Sequence, residues 1–151
     1  GDLDIALYGD GPLFDELTAP LLQFPNVKLE KRFLSHKEIS AIHKEYGIFI
    51  TPTRMDSQGV SRDEAMSSGL VPITTAVTAI PEFVDAECGF LVEGEDYLGM
   101  ADAVEHLYKN PDNFLSLSKN ASERANRQSG FDQTILKETQ IIKATEDSLL
   151  N

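Results

Sequence analysis

Residues 47–75, GIFITPTRMDSQGVSRDEAMSSGLVPITT, contain signals for a strand, a helix and a second strand in one stretch. An apolar run of strand length at Gly47–Thr51 is followed by a polar loop, a helical segment over about Val60–Ser68 and a second apolar run at Val71–Thr75. Gly69 is expected to end the helix, because glycine readily adopts the left-handed conformation found at helix exits. A helix that connects two strands is typical of a parallel sheet.

Upstream of this unit the alternation of strand and helix signals continues. Apolar runs predict strands at Asp4–Tyr8 and Val27–Glu30. One helix is expected to begin at Pro12, since proline is favourable in a first helical turn. A second is expected after Ser35, which stands three residues before Glu38 and forms a capping box with it.

Downstream, a last strand is predicted at Gly89–Val92, and helical signals then take over. Three helical stretches follow, at Asp96–Lys109, Pro111–Arg127 and Phe131–Leu150. In the first of them an apolar stripe of helical period is predicted to face the core. The stripe consists of Leu98, Ala101, Val104, Leu107 and Tyr108. The pattern therefore predicts an α/β fold, a Rossmann-like three-layer parallel sheet with helices on both faces and a helical C-terminal cap.

Length and charge restrict the class of protein. The chain has 151 residues, which predicts one domain, and its formal net charge is -12. This acidity argues against a nucleic-acid partner, because neutralising phosphates requires clustered cations. The single cysteine, Cys88, excludes an internal disulfide and favours a reducing, cytoplasmic compartment. Cys88 and the three histidines are in no metal-ligand spacing, so no metal site is expected.

Ligands of open parallel sheets bind where strands end and helices begin, so the loops at these crossings are the candidate sites. The first crossing is Gly9-Asp10-Gly11-Pro12. Its glycines permit close approach to an anion at a helix start. It is not a dinucleotide fingerprint, because Phe14 stands where the third glycine would be. A plain turn and a ligand contact both fit this segment.

The crossing that leads from Thr51 into the helix near Val60 is richer in polar groups. Gly59 directly precedes the helix, and the backbone amides near Val60 and Ser61 should face the loop. Amides in this position are suited to binding a phosphate. The carboxylates of Asp56 and Glu64 flank these amides in the sequence and could bind the hydroxyl groups of a sugar or ribose. The alternative is that Asp56 forms a turn and Glu64 is a solvated helix residue.

The segment from Asp56-Ser57-Gln58-Gly59 to Glu64-Ala65-Met66-Ser67-Ser68-Gly69-Leu70-Val71-Pro72-Ile73 resembles the motif of the group-1 (family 4) retaining glycosyltransferases of the GT-B fold. That motif has a Glu, seven residues and a second Glu. The resemblance extends over nearly the whole chain. The other matching segments are Gly9-Asp10-Gly11-Pro12, Asn26-Val27 leading into Phe33, Ile80-Pro81-Glu82-Phe83-Val84 and Cys88-Gly89-Phe90-Leu91-Val92.

The resemblance implies a role for each matching residue. Glu64 would bind the ribose of a nucleotide-sugar donor, and Asp56 would contact the transferred sugar. These two are the implied catalytic residues, acting by orientation and charge and not as nucleophile or general base. The residues implied to bind the donor are Gly9, Gly11, Arg32, Phe33, Ser57, Gln58, Gly59, Val60, Ser61 and Glu64. No cofactor or metal is implied, because amides and basic side chains can hold the diphosphate.

The sequence departs from the family pattern in three respects. Asp56 is one methylene shorter than the usual Glu, and Ser57-Gln58 replaces the usual Gly-Phe, so the donor-sugar preference does not carry over. The third departure is that the family's upstream Arg and Lys, its first strand and helix, and its N-terminal acceptor domain do not match any part of this sequence. We therefore expect a truncated donor-binding domain over residues 1–151, inactive alone and weak in donor binding.

The same departure has a structural consequence. With the first strand missing, the strands at Asp4–Tyr8 and Gly47–Thr51 are expected either to pair directly or to mediate self-association. Four cations are expected to serve mainly as solubilising surface groups. They are Lys31, Arg32, Arg54 and Arg62.

The resemblance implies transfer of a sugar from the donor to a carbohydrate or lipid-linked acceptor. Two alternatives remain open from the residues alone. One is a noncatalytic interaction or regulatory module with the same fold, and the other is a sugar-nucleotide epimerase or a phosphorylase.

Overall fold

The computed structural model describes residues 3–56 and 59–149. The chain divides into two compact units, one up to Ala41 and one from Ile42 onward. No helix in these described ranges has both the length and the apolar character needed to cross a membrane.

The first unit is built on two parallel strands. Strand β1 (Ile5–Gly9) pairs with β2 (Val27–Lys31), in register from Ile5 opposite Val27 to Gly9 opposite Lys31. Helix α1 (Phe14–Thr18) and a 3-10 turn (Ala19–Gln23) connect them. Pro20 lies in the first turn of the 3-10 segment, where its missing N–H leaves no helical hydrogen bond unmade. After β2 comes helix α2 (His36–Ile42).

The second unit contains a three-stranded parallel sheet in the order β3-β4-β5. The strands are β3 (Ile48–Thr51), β4 (Val71–Thr75) and β5 (Phe90–Val92). The helices are α3 (Val60–Ser67), α4 (Tyr97–Lys109), α5 (Pro111–Ser129) and α6 (Phe131–Leu149). Every residue of β4 is buried, as expected for the central strand of a covered parallel sheet.

Two apolar clusters form the core of the second unit. One joins α3, α5 and the segment after β4, and consists of Met66, Ile80, Val84, Cys88, Ala121 and Ala125. The other joins β4, α4 and α5, and consists of Val71, Ile73, Met100, Ala103, Leu107 and Leu117. Cys88 is fully buried, and this burial raises the pKa of its thiol.

The predicted elements and their end signals are largely confirmed. All five strands lie within one or two residues of the predicted positions. In the capping box, the Ser35 backbone N–H donates to Glu38 Oε2 at 2.8 Å, and the Glu38 N–H donates to Ser35 Oγ at 3.4 Å. Gly69 has a φ of +85°, the left-handed conformation expected at the end of α3.

Two structural predictions are wrong. In α4 the stripe is rotated, because Leu98 and Tyr108 are exposed while Met100 and Ala103 are buried with Leu107 against β4 and α5. In residues 3–56 and 59–149 the strands form two separate sheets, so the direct pairing of β1 with β3 is not found. Self-association through these strands stays a prediction.

Candidate functional site

At the crossing from β3 to α3, Asp56 is hydrogen-bonded to the residue that directly precedes α3. The Gly59 backbone N–H donates to Asp56 Oδ1 at 2.6 Å. Gly59 has a φ of +64°, which non-glycine residues rarely adopt, and α3 begins at Val60. One carboxylate oxygen of Asp56 is therefore directed at the entrance of α3.

Hydroxyl groups on and after β4 hold this crossing from the side. Thr75 Oγ1 donates to the Thr53 carbonyl at 2.5 Å. Thr78 Oγ1 donates to the Asp56 carbonyl at 2.5 Å and accepts from the Asp56 N–H at 3.3 Å. Thr78 has a φ of +48°, a strained conformation for a β-branched residue. The position of Asp56 is thus set by Thr78 in another loop as well as by its hydrogen bond to Gly59.

Arg62 lies under the crossing and not on the surface. It is only 3% exposed, and its guanidinium stacks on the Phe83 ring at 4.5 Å. Its Nε and Nη2 donate to Asp63 Oδ1 at 3.0 and 2.8 Å. The expectation that Arg62 is a solubilising surface cation is therefore wrong. A buried guanidinium is stable here because its charge is paired and its hydrogens are directed at a carboxylate.

Glu64, one turn into α3, is half-buried and lines a cavity of about 420 Å³ between α3, Phe83 and the end of α5. Asp63 also lines this cavity, where its Oδ2 accepts from Ser129 Oγ at 2.8 Å. Nearby, burial lowers the pKa of His43, and the Glu64 carboxylate partly opposes this shift. Glu64 is therefore not simply a solvated helix residue.

In the first unit, Gly11 and Phe33 come together. They line a cavity of about 450 Å³ with Asp10, Pro12 and Lys31. Phe33 is exposed, and Gly9 lies at the end of β1. This arrangement is compatible with a ligand contact at the first crossing as well as with a plain turn.

Arg32 is committed to ion pairs with two carboxylates. Its Nε lies 2.6 Å from Glu30 Oε2, and its Nη1 lies 2.7 Å from Glu38 Oε1. Hydrogen bonds from Ser35 and Arg32 lower the pKa of Glu38 to about 2. The side chain of Arg32 thus serves the local structure, and its backbone N–H is also engaged, donating to the Glu30 carbonyl at 3.0 Å.

The structure brings one group of the predicted site residues together in a single crossing. Asp56, Gly59, Val60 and Ser61 belong to that crossing, with Glu64 one turn further on. Gly9, Gly11, Arg32 and Phe33 belong to the first unit. Ser57 and Gln58 lie outside the described residues.

Sequence reasoning missed Thr75 and Thr78, which hold the crossing. A signal for them existed, because polar residues at the end of a neighbouring parallel strand are expected at the same edge of the sheet. Over the described part of the chain, no group of three or more His, Cys, Asp or Glu side chains is arranged to hold a metal ion.

A profile of the family described as "Glycosyl transferases group 1" matches residues 2–110. The chain is 25% identical over 118 residues to the lipopolysaccharide core biosynthesis mannosyltransferase LpsB of Rhizobium meliloti, which covers 76% of this chain and 32% of LpsB. It is 30% identical over 105 residues to the capsular polysaccharide biosynthesis glycosyltransferase CapM of Staphylococcus aureus, which covers 69% of this chain and 27% of CapM. The chain therefore spans about a third or less of these relatives.

Solved structures share the fold. The sucrose-phosphate synthase of Thermosynechococcus elongatus superimposes with a TM-score of 0.81 at 19% identity, covering 95% of this chain and 38% of that enzyme. Anabaena HepE, solved in complex with UDP, gives a TM-score of 0.77 at 16% identity, covering 97% of this chain and 41% of HepE. The C-terminal domain of LpcC from Francisella tularensis gives a TM-score of 0.67 at 20% identity, covering 78% of this chain and 60% of that domain. The fold is that of the C-terminal domain of GT-B enzymes, and with the profile match over residues 2–110 the chain belongs to the group 1 glycosyltransferases.

Proposed function

We propose that this chain binds the nucleotide-sugar donor of a retaining glycosyltransferase, which transfers the sugar to a carbohydrate or lipid-linked acceptor. The observation that carries the proposal is the β3–α3 crossing. There the Asp56 carboxylate holds the Gly59 amide, and α3 begins at exposed residues directly after it.

The start of α3 is suited to a diphosphate. The first amides of a helix have no partner in the helical ladder, and the positive end of the helix dipole lies with them. In this chain those amides belong to Val60 and Ser61. Because the protein carries a net charge of -12, local amides are the means by which it can attract an anion.

The carboxylates of Asp56 and Glu64 are proposed to accept hydrogen bonds from hydroxyl groups on either side of the diphosphate. Asp56, one of whose carboxylate oxygens accepts from the Gly59 N–H, is proposed to accept a hydrogen bond from a hydroxyl of the transferred sugar. Glu64, half-buried beside its cavity, is proposed to accept from the ribose hydroxyls.

The reaction is proposed to proceed by attack of the acceptor on the same face as the departing diphosphate. The bond between the anomeric carbon and the phosphate oxygen breaks, and the acceptor oxygen forms the new bond and gives its proton to the leaving phosphate. Amides directed at the diphosphate stabilise the charge that develops on it. No side chain forms a covalent intermediate, and no metal is required in this scheme.

The test is a titration of the isotope-labelled chain with UDP and, separately, with GDP, followed through its backbone amide resonances. We expect shifts at Gly59, Val60 and Ser61 with a dissociation constant on the order of millimolar. Glu64→Gln should weaken binding about tenfold, as expected for a hydrogen bond to a charged group. Glu105→Gln, an exposed change on α4, is the control and should leave binding unchanged.

Two results would contradict the proposal. If neither nucleotide shifts these three amides, a noncatalytic module with this fold becomes the better description. If Glu64→Gln binds like the unaltered chain, Glu64 has no part in holding the ribose.

A further inference from the structure

The positive charge of Arg62 lies at Gly59, the residue directly before α3. A Cβ built on Gly59 would lie within 3 Å of the guanidinium carbon of Arg62 and of both its terminal nitrogens. The guanidinium therefore fills the space that a side chain at position 59 would occupy. Since α3 begins at the next residue, this charge is placed beside the first amides of the helix.

Water screens this charge little, because the guanidinium is buried. The side chain of Arg62 is 3% exposed, and the Phe83 ring, 4.5 Å away, covers it. Inside a protein the effective dielectric constant is about 20, compared with about 80 in bulk water. Arg62 therefore attracts an anion at the start of α3 more strongly than an exposed arginine at the same distance would.

The carboxylate that balances Arg62 is held by the end of α5. Asp63 Oδ1 accepts from Nε and Nη2 of Arg62 at 3.0 and 2.8 Å. The other oxygen of Asp63, Oδ2, accepts at 2.8 Å from Oγ of Ser129, the last residue of α5. The ion pair is thus a dipole with its guanidinium at Gly59 and its carboxylate at Ser129. Its positive end adds to the positive end of the α3 dipole.

Stability alone gives a weak reason for placing this ion pair under the crossing. The hydration that two charges lose on burial is often not recovered by their mutual attraction, and uncharged side chains of similar size commonly give a fold that is equally stable. A role in attracting an anion to the neighbouring amides supplies the reason that stability does not.

We propose that Arg62 is a positioning residue for the donor diphosphate, because its buried charge strengthens the attraction of the Val60 and Ser61 amides for the phosphates. This inference rests on the proposed function, which takes the diphosphate to bind at these amides. Arg62 acts through its electric field and not by contact, since its guanidinium is almost fully covered. It is therefore not a catalytic residue.

The test changes the charges of the pair and measures UDP binding through the amide resonances of Val60 and Ser61. Asp63→Asn keeps an acceptor for the Arg62 guanidinium but leaves its positive charge unbalanced. We expect this variant to bind UDP about threefold more tightly than the unaltered chain, while its thermal midpoint falls. A purely structural role of the pair predicts weaker binding, because a less stable crossing would hold UDP less well.

A double variant, Arg62→Met with Asp63→Asn, removes both charges with little change in side-chain volume. It should fold, because uncharged side chains of similar size can replace a buried ion pair. It should bind UDP about tenfold more weakly than Asp63→Asn alone, and about threefold more weakly than the unaltered chain. Glu105→Gln on α4 removes one negative charge beside a cation, Lys109, and is the control that should leave UDP binding unchanged.

Two results would overturn the role of Arg62. One is a folded Asp63→Asn variant that binds UDP no more tightly than the unaltered chain, and the other is a double variant that binds UDP as well as the unaltered chain does. If UDP still shifts the amides of Gly59, Val60 and Ser61 in these cases, the proposed function stands without Arg62. Absence of UDP binding by the unaltered chain and by every variant overturns both proposals.

Discussion

The two strand-to-helix crossings that the sequence singles out differ in what holds them. After β1, Asp10 Oδ1 accepts from the adjacent Gly11 N–H at 2.7 Å, and the Phe14 N–H donates to the Gly11 carbonyl at 3.1 Å. Both contacts are local, and the first is solvent-exposed. After β3, the chain is held by the hydrogen bond from Gly59 to Asp56 and also by Thr75 and Thr78 from the neighbouring strand and loop.

The difference teaches that similar glycine-containing turns can have different degrees of preorganisation. A loop fixed by contacts distant in sequence loses less conformational entropy when a ligand binds. The described part of the β3–α3 crossing, up to Asp56 and from Gly59 onward, is therefore the better fixed of the two. Four predictions test this comparison, from the largest expected effect to the smallest.

Gly59→Ala should have the largest effect. Gly59 is left-handed, and a Cβ there would lie within 3 Å of the guanidinium of Arg62, which is itself buried. We expect a loss of about 2–4 kcal/mol in the free energy of unfolding, measured by urea denaturation.

Gly9→Ala, in the other crossing, is the matched control. The nearest atom to an added Cβ there is Phe14 Cε2 at 3.9 Å, an ordinary contact, so the change should cost less than about 0.5 kcal/mol. Equal losses for the two variants would remove the distinction between the crossings.

The capping aspartates should differ in the same direction. Asp56→Ala removes the half-buried carboxylate that accepts from the Gly59 amide, and we expect the free energy of unfolding to fall by about 1 kcal/mol. Asp10→Ala removes a solvent-exposed contact and should lower the free energy of unfolding by about 0.5 kcal/mol at most. Asp56→Asn retains an acceptor oxygen and should recover more than half of the loss. A larger cost at Asp10 than at Asp56 would reverse the comparison.

Thr78 should control the mobility of the Asp56 backbone more than global stability. Thr78→Val keeps the β-branched shape and the strain but loses both hydrogen bonds to Asp56. We expect this loss to lower the free energy of unfolding by about 1 kcal/mol. Thr78→Gly loses the same bonds but relieves the left-handed strain, so its stability should be close to the unaltered chain.

Hydrogen exchange provides the measurement. The Asp56 amide should exchange faster in Thr78→Val and Thr78→Gly, and Thr78→Ser should restore protection. Unchanged exchange in both hydroxyl-free variants would show that the crossing is held without Thr78.

Acid should destabilise the two units in different pH windows, the first through Glu38 and the second through His43. Burial lowers the pKa of His43 below its ordinary value of 6.5, so the unfolded chain binds the proton first. Stability should therefore fall as the pH decreases through 6.5, and His43→Gln should flatten this slope. The pKa of Glu38 is lowered from 4.5 to about 2, so its stabilising contribution is lost only between these values. Denaturant midpoints at a series of pH values test both, and a slope unchanged by His43→Gln would contradict the first.

Features set by neighbours along the chain were predictable from the sequence. The capping box of Ser35 with Glu38, the exit at Gly69 and the strand positions all depend on residues a few places apart. The position of the crossing before Val60 followed from the same local signals.

Features set by partners distant in sequence were not predictable. Arg62 is buried because Phe83, in a later segment, provides the surface on which it stacks. The buried face of α4 is fixed by β4 and α5, which select Met100 and Ala103 over the equally periodic Leu98 and Tyr108. Helical period alone gives a set of candidate faces, and tertiary packing chooses among them.

The burial of Cys88 has a practical consequence. Because this is the chain's one thiol and the core both covers it and raises its pKa, alkylating reagents should modify it only when the second unit opens. The rate of Cys88 modification, measured by mass spectrometry, then reports how often that core opens, without any engineered probe. The same rate, measured for each variant above, ranks the variants by how readily the core opens.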